Sequence, residues 1–394
     1  MINNRMQKKK IAIIIEDSIF NRKGMMNAEL NRITHLSKIS DYDIDVYSFQ
    51  TYFGWLFRKI KGLPKVKHPK EVELDGIKIN VKWRKFSIID YVLMNILHKS
   101  PFINKNWQFR YIKNFKGYDI IVANSTNSGR LALEIKRRYG IPYYVTWHGT
   151  DIHSAPFDSS YEFHMTKIVM EGAELNFMVS QALLETSKKI SETANRIVLY
   201  NGVNSSFHRY SDSVRLKLRR EKGVESKKVV AFAGHLIEVK NPHLFPEIFR
   251  AVNEKYIGSI EFWIMGTGKW GDYIKKKCAE YLVPLKMWGN VNSQQMPSML
   301  NCVDVLILPS RNEGLPLIAV EAIACGANAV GAKVGGIPEV MGEENTFNHG
   351  EKFLDEISDR IVYMLSNEVY QPLKPYFSWA ETAKIENNIY KSLK

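Results

Sequence analysis

The sequence predicts an α/β protein made of two doubly wound parallel-sheet domains. Its 394 residues exceed the ~250–300 residues that one hydrophobic core usually supports. Short apolar runs of strand length alternate with helical patterns along the whole chain, which is typical of parallel sheets covered by helices on both faces. Polar residues or glycines follow many of these runs, at the strand ends where such sheets bind ligands.

The predicted strands of the first half are apolar runs bounded by turn residues. They lie at 8–16, 43–49, 77–83, 118–123, 142–149, 175–180 and 196–202. Helical patterns at 25–39 and 131–139 follow two of these runs. The polar residues at 124–129 are expected to end one strand before the second of these helices begins.

The second half repeats the strand and helix alternation after a polar stretch at 203–226. Its predicted strands lie at 229–234, 260–266, 285–289, 303–308 and 329–331. We therefore expect one domain over residues 1–204 and a second over 205–375. The segment that begins at Ser378 predicts an amphipathic helix, with Trp379, Ile385 and Ile389 as its burying positions.

Charge is unevenly distributed along the chain. Residues 51–116 contain 15 Lys and Arg against 4 Asp and Glu, which accounts for +11 of the whole chain's net +14. One surface of the first domain should therefore be strongly basic. The three cysteines are few and lie in apolar surroundings, which favours free core thiols in a reducing compartment. No apolar run is long enough for a membrane-spanning helix or the core of a signal peptide.

The segment 309–326 joins a predicted buried strand to a helix that we expect to begin at Pro316. Glu313 precedes this helix and Glu321 lies about one turn inside it. The backbone N–H groups of Gly314 and Leu315 should be free to bind an anion, helped by the helix dipole. A simple alternative is that neither glutamate binds a ligand: Glu321 would only complement the helix dipole, and Glu313 would be a solvated loop charge. The surrounding glycines favour instead a site for a phosphorylated ligand, with carboxylates left for its hydroxyl groups.

This segment resembles the E-x7-E region of the retaining GT-B glycosyltransferases of family 4, and the resemblance extends over nearly the whole chain. The C-terminal half carries the matching elements Gly234-His-Leu-Ile-Glu-Val-Lys240, Gly266-x-Gly268, Met287-Trp-Gly-Asn-Val291, Glu313-x7-Glu321 and Gly335-Gly-x-x-Glu339. The N-terminal half carries Trp147-His-Gly-Thr-Asp151, Val179-Ser180 and Asn201-Gly-Val-Asn204. Each element alone is weak, whereas together they form a specific pattern.

The resemblance implies two Rossmann-like domains facing a cleft. The domain over 1–204 would bind the acceptor, the domain over 205–375 would bind a nucleotide-sugar, and the helix within 376–394 would return to the first domain. His148, Lys240 and Glu313 would be the catalytic residues. The donor-binding residues would be Gly234, His235, Lys240, Gly266, Trp288, Glu313, Gly314, Leu315 and Glu321. The acceptor-binding residues would be Gly24, His148 and Asp151.

Physical roles follow for the implied donor site. Lys240 would neutralise the donor's diphosphate, Glu321 would accept from the ribose hydroxyls, and Glu313 would contact the transferred sugar. The sequence departs from the family at His235, where Arg is common, because a histidine cannot make a bidentate phosphate clamp. The glycine pair that commonly follows the first strand is reduced to Gly24 and Met25.

Other site chemistries are less well supported. His148, Asp151 and His153 could be metal ligands, but their loop lacks a helical or Cys-rich frame, so we expect no metal site. The Asp-x-Asp at 43–45 opens a predicted strand, which disfavours a metal-dependent GT-A fold. Residues 266–271 satisfy G-x-G-x-x-G, yet the next strand lacks the acidic residue that would bind a nicotinamide nucleotide's ribose. We interpret these glycines as a tight turn near the nucleotide.

The basic region at 51–116 has three interpretations: a soluble surface, a nucleic-acid site or contact with an anionic membrane or lipid-linked acceptor. No nucleic-acid module accompanies the charge, so we expect no nucleic-acid partner. Aromatic and aliphatic residues among the cations favour peripheral membrane contact: Trp55, Leu56, Phe57, Trp83 and the stretch 86–97. A cytoplasmic protein, possible at the inner membrane face, is expected.

The predicted function is retaining, metal-independent transfer of a hexosyl group to a saccharide or lipid-linked acceptor in cell-surface polysaccharide synthesis. The co-substrate would be a nucleotide-diphosphate sugar, with a UDP-sugar as the first expectation, and no other cofactor is implied. Two alternatives are a nucleotide-sugar epimerase or hydrolase, which would turn over without an acceptor, and a non-catalytic protein of the same fold that binds membrane surfaces.

Overall fold

The computed structural model describes residues 8–16, 19, 24–55, 58–59, 62, 67–86, 90 and 107–392. The described chain forms two compact units. The N-terminal unit comprises Met1–Val179, Leu183–Leu199 and Thr382–Lys394, and the C-terminal unit comprises Ser180–Ala182 and Tyr200–Glu381. Each unit is a parallel sheet with helices, as the apolar runs predicted.

The sheet of the N-terminal unit has eight strands among the described residues. They are β1 (Lys10–Ile15), β2 (Asp43–Phe53), β3 (Glu71–Leu74), β4 (Ile77–Phe86), β5 (Ile120–Asn124), β6 (Tyr143–Trp147), β7 (Leu175–Met178) and β8 (Arg196–Val198). Their order is β3-β4-β2-β1-β5-β6-β7-β8, and only β3 pairs in the antiparallel direction. β1, β5 and β6 are almost wholly buried, which explains their unbroken apolar sequences.

The helices of the N-terminal unit follow the strands. They are α1 (Gly24–Ile39), a 3-10 helix at Trp107–Phe115, α2 (Ser125–Tyr139), α3 (Thr150–His153), a short 3-10 helix at Ala155–Phe157, α4 (Ser160–Gly172) and α5 (Gln181–Lys188). The core between β1 and α1 is aliphatic, with Ile11, Ile13 and Leu30 buried. Tyr390 from the C-terminal helix is a fully buried member of the same core.

The sheet of the C-terminal unit is parallel throughout. Its strands are β9 (Lys228–Ala233), β10 (Ile260–Met265), β11 (Leu285–Gly289), β12 (Val305–Leu308), β13 (Asn328–Ala332) and β14 (Thr346–Phe347). Their order is β11-β10-β9-β12-β13-β14. Numbered from β9, this is the 3-2-1-4-5-6 order of dinucleotide-binding sheets, whose ligand crevice lies where the order reverses.

The helices of the C-terminal unit connect these strands. They are α6 (Asp212–Lys222), α7 (Phe245–Lys255), α8 (Gly271–Glu280), α9 (Met296–Leu300), α10 (Leu317–Ala324), α11 (Ile337–Met341), α12 (Phe353–Ser366) and the start of α13 (Trp379–Lys391), with 3-10 turns at Glu238–Lys240, Pro242–Leu244 and Glu343–Asn345. None of the helices in the described ranges is both long enough and apolar enough to cross a bilayer.

Two helices differ from the sequence-based expectation. α2 begins at Ser125, so residues 125–129 belong to the start of this helix, and only Asn124 lies at the end of β5. Their orphan N–H groups find an acceptor in Glu16, which accepts from the Ser128 N–H at 2.7 Å. α6 occupies part of the polar stretch at 203–226, for which no helix was predicted, and it buries none of its side chains. Arg215 and Arg219 attach it instead by donating to the carbonyl oxygens of Asn301 and Cys302.

The C-terminal helix α13 is present, but one of its three expected burying positions is wrong. Trp379 is buried, Ile389 packs against the core, and Ile385 is 45% exposed. Glu386 takes part in the buried face because it pairs with a buried arginine of α1, which a purely apolar pattern cannot reveal. All three cysteines are free and buried, as expected.

Candidate active site

The C-terminal unit places the ends of β9 and β12 side by side at the point where its strand order reverses. Residues 234–241 follow β9, and residues 309–316 follow β12. The carboxyl ends of parallel strands at such a reversal form the usual ligand crevice. The two strongest sequence motifs therefore lie in one place, although 73 residues separate Lys240 from Glu313.

Lys240 and Glu313 form an ion pair at this reversal. The Lys240 ammonium donates to Glu313 Oε1, which also accepts from the Ser310 hydroxyl at 2.7 Å. The side chains are 23% and 11% exposed. A cation held this way keeps a fixed position while part of its surface stays open to an anion.

Arg311 is a cation of this site that the sequence reasoning missed. Its backbone N–H donates to the Val239 carbonyl at 2.8 Å, and its Nε donates to Asn241 Oδ1 at 3.0 Å. These bonds attach Arg311 to the loop that carries Lys240, while 53% of its side chain stays exposed. His235, where an arginine was expected, is itself exposed. The sequence feature that could have identified Arg311 is its place in the Pro-Ser-Arg sequence directly after β12.

Glycines allow two pairs of loops to approach closely beneath this site. A Cβ on Gly266 would overlap the Gly234 carbonyl oxygen. A Cβ on Gly335 would likewise overlap the Glu313 carbonyl oxygen, and the Gly336 N–H donates to that oxygen at 3.3 Å. The glycines of 266–271 thus form a tight turn against the end of β9, as we interpreted them. The same crowding explains why a glycine pair accompanies the Glu313 motif.

Helix α10 begins at Leu317, one residue after Pro316, which caps it. The N–H groups of Gly314 and Leu315 donate to no other group in the described part of the chain. They are thus available to an anion at the start of a helix, the position that backbone dipoles favour for negative charge.

Glu321 lies in α10 and has no hydrogen-bond partner within the described ranges. Burial raises the pKa of its carboxyl group to about 8. At neutral pH the acid is therefore largely protonated, and it can both donate to and accept from hydroxyl groups. Glu313 differs from Glu321 because its carboxylate is already hydrogen-bonded, to Lys240 and Ser310.

Trp288 lies on β11, apart from the contacts of Lys240 and Glu313. Its ring packs edge-on to Trp263 at 5.1 Å between centroids. The ammonium groups of Lys286 and Lys222 lie 4.2 Å and 5.3 Å from its centroid. The role of Trp288 as a wall for the donor's base therefore stays a prediction.

His148 follows β6 in the N-terminal unit and is largely buried. Its Nε2 lies 3.2 Å from Asn124 Oδ1 and 4.0 Å from Glu29 Oε1. Burial lowers the pKa of its imidazole to about 3, with a further contribution from the positive charge of Arg32. The imidazole is consequently neutral at physiological pH, so it can exchange hydrogen bonds with a hydroxyl group without presenting a charge.

Asp151 and Gly24 occupy different local settings. The Asp151 carboxylate accepts from the His148 and Gly149 backbone N–H groups at 3.0 Å and 2.7 Å, which fixes the turn after β6. Burial raises its pKa to about 6. Gly24 opens α1 with free space around its Cα. Neither contact identifies an acceptor, so both residues stay predictions. Among the described residues, no group of three or more His, Cys, Asp or Glu is arranged to hold a metal ion.

One family model matches the part of the chain that contains the motifs of the C-terminal unit. Residues 214–385 match the model described as glycosyl transferases group 1. This matched region contains the Lys240–Glu313 pair, Glu321 and the glycine turns. It supports a GT-B glycosyltransferase.

Curated relatives agree at low identity. The chain is 27% identical over 303 residues to the uncharacterized glycosyltransferase MJ1607 of Methanocaldococcus jannaschii, covering 70% of this chain and 75% of the relative. It is 22% identical over 276 residues to TuaC of Bacillus subtilis, whose name assigns it provisionally to teichuronic acid biosynthesis, covering 68% of each chain.

Solved structures share the fold of the whole chain. Sucrose-phosphate synthase from Thermosynechococcus elongatus is similar with a TM-score of 0.71 and 16% identity, covering 98% of this chain and 99% of that one. HepE from Anabaena, in complex with UDP and glucose, is similar with a TM-score of 0.67 and 18% identity over 97% and 95% of the two chains. The predicted GT-B fold is thereby confirmed.

Proposed function

We propose that this protein is a retaining glycosyltransferase that moves a hexosyl group from a nucleotide-diphosphate sugar to a saccharide or lipid-linked acceptor. The Lys240–Glu313 pair carries this proposal, because it sets a fixed cation and a sugar-binding carboxylate beside free backbone N–H groups at a strand reversal. We infer UDP as the nucleotide, since HepE, a protein of the same fold, binds UDP and glucose.

The proposed reaction is attack by an acceptor hydroxyl on the sugar face that the leaving group departs from. The bond between the anomeric carbon and the diphosphate oxygen breaks, and the new glycosidic bond forms to the acceptor oxygen. The acceptor's proton passes to the departing diphosphate. Lys240 and the N–H groups of Gly314 and Leu315 stabilise the negative charge that develops there. The step needs no covalent nucleophile and no bound metal.

The remaining roles are divided between the two units. Glu321 binds the ribose hydroxyls, Trp288 flanks the base, and Gly234, His235 and Gly266 line the donor's phosphates in the C-terminal unit. The N-terminal unit binds the acceptor. His148 offers a neutral imidazole to a sugar hydroxyl, and Asp151 holds the turn that carries His148.

A role in cell-surface glycan synthesis is supported by the relatives. TuaC is named for teichuronic acid biosynthesis, and a lipopolysaccharide outer core galactosyltransferase, WaaB, has the same fold with a TM-score of 0.64 and 15% identity.

The decisive experiment combines donor screening with product analysis. A thermal-shift panel of UDP-, GDP-, ADP- and CMP-sugars should single out UDP-sugars, and NMR of the product formed with a saccharide acceptor should show the donor's anomeric configuration. An inverted product would refute the proposed mechanism. Complete turnover in the absence of any acceptor would favour the epimerase or hydrolase alternative.

Contact with an anionic membrane is a further part of the proposal. Trp55 and Phe53 are 68% and 39% exposed at the end of β2, within the basic region. Leu56, Phe57 and most of the stretch 86–97 lie outside the described residues. Sedimentation with phosphatidylglycerol vesicles should exceed sedimentation with phosphatidylcholine vesicles at low salt. Equal binding to both vesicles would exclude this contact.

A further inference from the structure

The N-terminal unit has its own strand reversal, between β1 and β5. β1 pairs with β2 on one side and with β5 on the other. A cavity of about 260 Å³ opens where these strands end, close to the ~300 Å³ at which ligand pockets begin. Its lining residues all belong to this unit: Ile14, Ile15, Glu16, Phe49, Trp107, Gln108, Asn127 and Ser128. We call it the β1 pocket.

The acidic side of the β1 pocket is Glu16, directly after β1. Its carboxylate accepts from the Ser128 backbone N–H at 2.7 Å and from the Ser125 hydroxyl. Ser125 holds a φ of 70°, which is uncommon for a residue with a side chain. Backbone strain of this kind tends to occur at functional positions. Capping α2 would explain the bonds of Glu16, but it does not explain the cavity beside it.

The opposite side of the β1 pocket is aromatic. Phe49 and Trp107 meet edge to face at 5.6 Å between centroids, and Tyr111 lies 6.1 Å from Trp107. The indole N–H of Trp107 meets no acceptor in the described ranges, and its side chain is only partly buried. Gln108 is fixed because its amide donates to the Asn127 carbonyl oxygen at 2.7 Å. The pocket is thus lined by aromatic side chains, one of which carries an N–H without an acceptor in the described ranges, and by a carboxylate.

These groups match one class of ligand. A pyranose ring has an apolar face that packs on an aromatic ring, and its hydroxyl groups donate to a carboxylate and accept from an indole N–H. A phosphate or a uronic acid would bring its charge toward Glu16, where burial already raises the pKa of the carboxyl group to about 7. The charged groups that act on Glu16 from neighbouring elements are Asp151 and Arg130.

We propose that the β1 pocket binds an uncharged sugar ring of the acceptor, with Trp107 as the stacking platform and Glu16 as the hydroxyl-binding group. This inference rests on the proposed function, since it specifies the acceptor class of the same enzyme. It adds Glu16, Phe49 and Trp107 to the residues that determine specificity.

Binding of simple glycosides tests the pocket directly. The probes are methyl glycosides of glucose, galactose and N-acetylglucosamine, with methyl glucuronide as the charged counterpart and uridine as a competing aromatic ligand. Saturation-transfer NMR at pH 8, above the Glu16 pKa, would be recorded on the full chain. The variants are Trp107→Ala, Trp107→Phe and Glu16→Gln. Tyr370→Ala is the control, because Tyr370 is an exposed aromatic residue of the C-terminal unit, outside the pocket and outside the proposed binding sites.

We expect at least one neutral glycoside to bind and methyl glucuronide to bind at least tenfold more weakly. Trp107→Ala should weaken binding of the neutral glycoside at least tenfold, while Trp107→Phe and Tyr370→Ala keep its binding. Glu16→Gln should reduce the difference between the neutral and the charged glycoside. No binding of any neutral glycoside, equal binding of methyl glucuronide, preference for uridine, or equal effects of Trp107→Ala and Tyr370→Ala would overturn the proposal.

UDP binding to the same samples separates the two levels of inference. A protein that binds UDP but no glycoside refutes the pocket and leaves the proposed function standing. A protein that binds glycosides through Trp107 but binds no nucleotide-sugar refutes the proposed function and keeps the pocket. Far-UV circular dichroism of each variant identifies a loss of folding. If Trp107→Ala does not fold, glycoside binding is compared between the parent protein and Trp107→Phe.

Discussion

The two strand reversals of this molecule have the same topology and opposite chemistry. In the C-terminal unit, polar groups at the reversal are partly open: a paired Lys240, an exposed Arg311 and free N–H groups. In the N-terminal unit, α1 and α13 carry a buried pair of charges, Arg32 and Glu386, that bond to one another. Substitutions of the open groups in the C-terminal unit should therefore affect ligand binding, whereas substitutions of the Arg32–Glu386 pair should affect stability.

The largest effect on stability is expected from Arg32→Met. Arg32 Nε lies 2.6 Å from Glu386 Oε2, and the two side chains are 8% and 1% exposed. Removing one partner leaves a buried charge, which costs about 3–5 kcal/mol. Urea denaturation followed by circular dichroism should show this loss, with Lys188→Met in an exposed ion pair as the control at about 0–1 kcal/mol. Equal losses of unfolding free energy in Arg32→Met and Lys188→Met would contradict the expected difference between buried and exposed ion pairs.

A double substitution sharpens the same point. Arg32→Met combined with Glu386→Leu removes both buried charges, so it should recover much of the lost stability. If the double variant were as unstable as Arg32→Met, packing and not charge would explain the loss. Either variant that folds should also keep UDP binding, because the hydrogen bonds of Arg32 and Glu386 join groups within the N-terminal unit.

Lys240→Ala should cause the largest loss of activity. Loss of a group that stabilises the departing diphosphate is expected to lower kcat by about 10²–10³. The free energy of unfolding should fall as well, because Glu313 is 11% exposed and loses its counter-charge, so circular dichroism should first show that the variant is folded. Steady-state kinetics with a UDP-sugar would measure the effect, and Lys275→Ala, an exposed lysine of α8, is the control. Unchanged turnover in Lys240→Ala would favour the non-catalytic alternative.

Glu321 should give donor binding a dependence on pH. Since burial raises the Glu321 pKa to about 8, the carboxyl is protonated below that pH and ionised above it. The ionised form accepts two ribose hydroxyls, so UDP affinity should rise by up to about tenfold between pH 7 and 9, as hydrogen bonds to charged groups contribute ~1.5–3 kcal/mol. Calorimetric titration should show the rise in the parent protein and none in Glu321→Gln.

His235→Arg should have the smallest effect and the opposite sign. A permanently charged, forked guanidinium binds phosphate better than an imidazole, so UDP affinity should increase by about threefold to tenfold. The gain should be larger in Arg311→Gln than in the parent protein if Arg311 already supplies the missing charge. Isothermal titration of UDP into the parent protein, His235→Arg, Arg311→Gln and the double variant would show that difference. If the effects of the two substitutions on affinity were purely additive, Arg311 would not be replacing the charge missing at His235.

The sequence alone determined the features that depend on neighbouring residues. Strands that are almost wholly buried, such as β1, β5 and β12, follow from unbroken apolar runs, because nearly every side chain of such a strand must leave water. The Glu313 turn follows from local glycine and proline chemistry. The link between that turn and Lys240 was inferred from resemblance, and the structure brings the two side chains together.

Only the tertiary structure decided the features that join distant parts of the chain. The start of α2 depends on Glu16, 112 residues before the N–H that it accepts from. The buried face of α13 depends on Arg32, 354 residues before Glu386. α6 forms without an apolar face because arginine hydrogen bonds attach it to residues 301–302. The free-energy cost of burying a polar group is offset only when the group has a hydrogen-bond partner. Partners that folding brings together from distant parts of the chain leave no local pattern in the sequence.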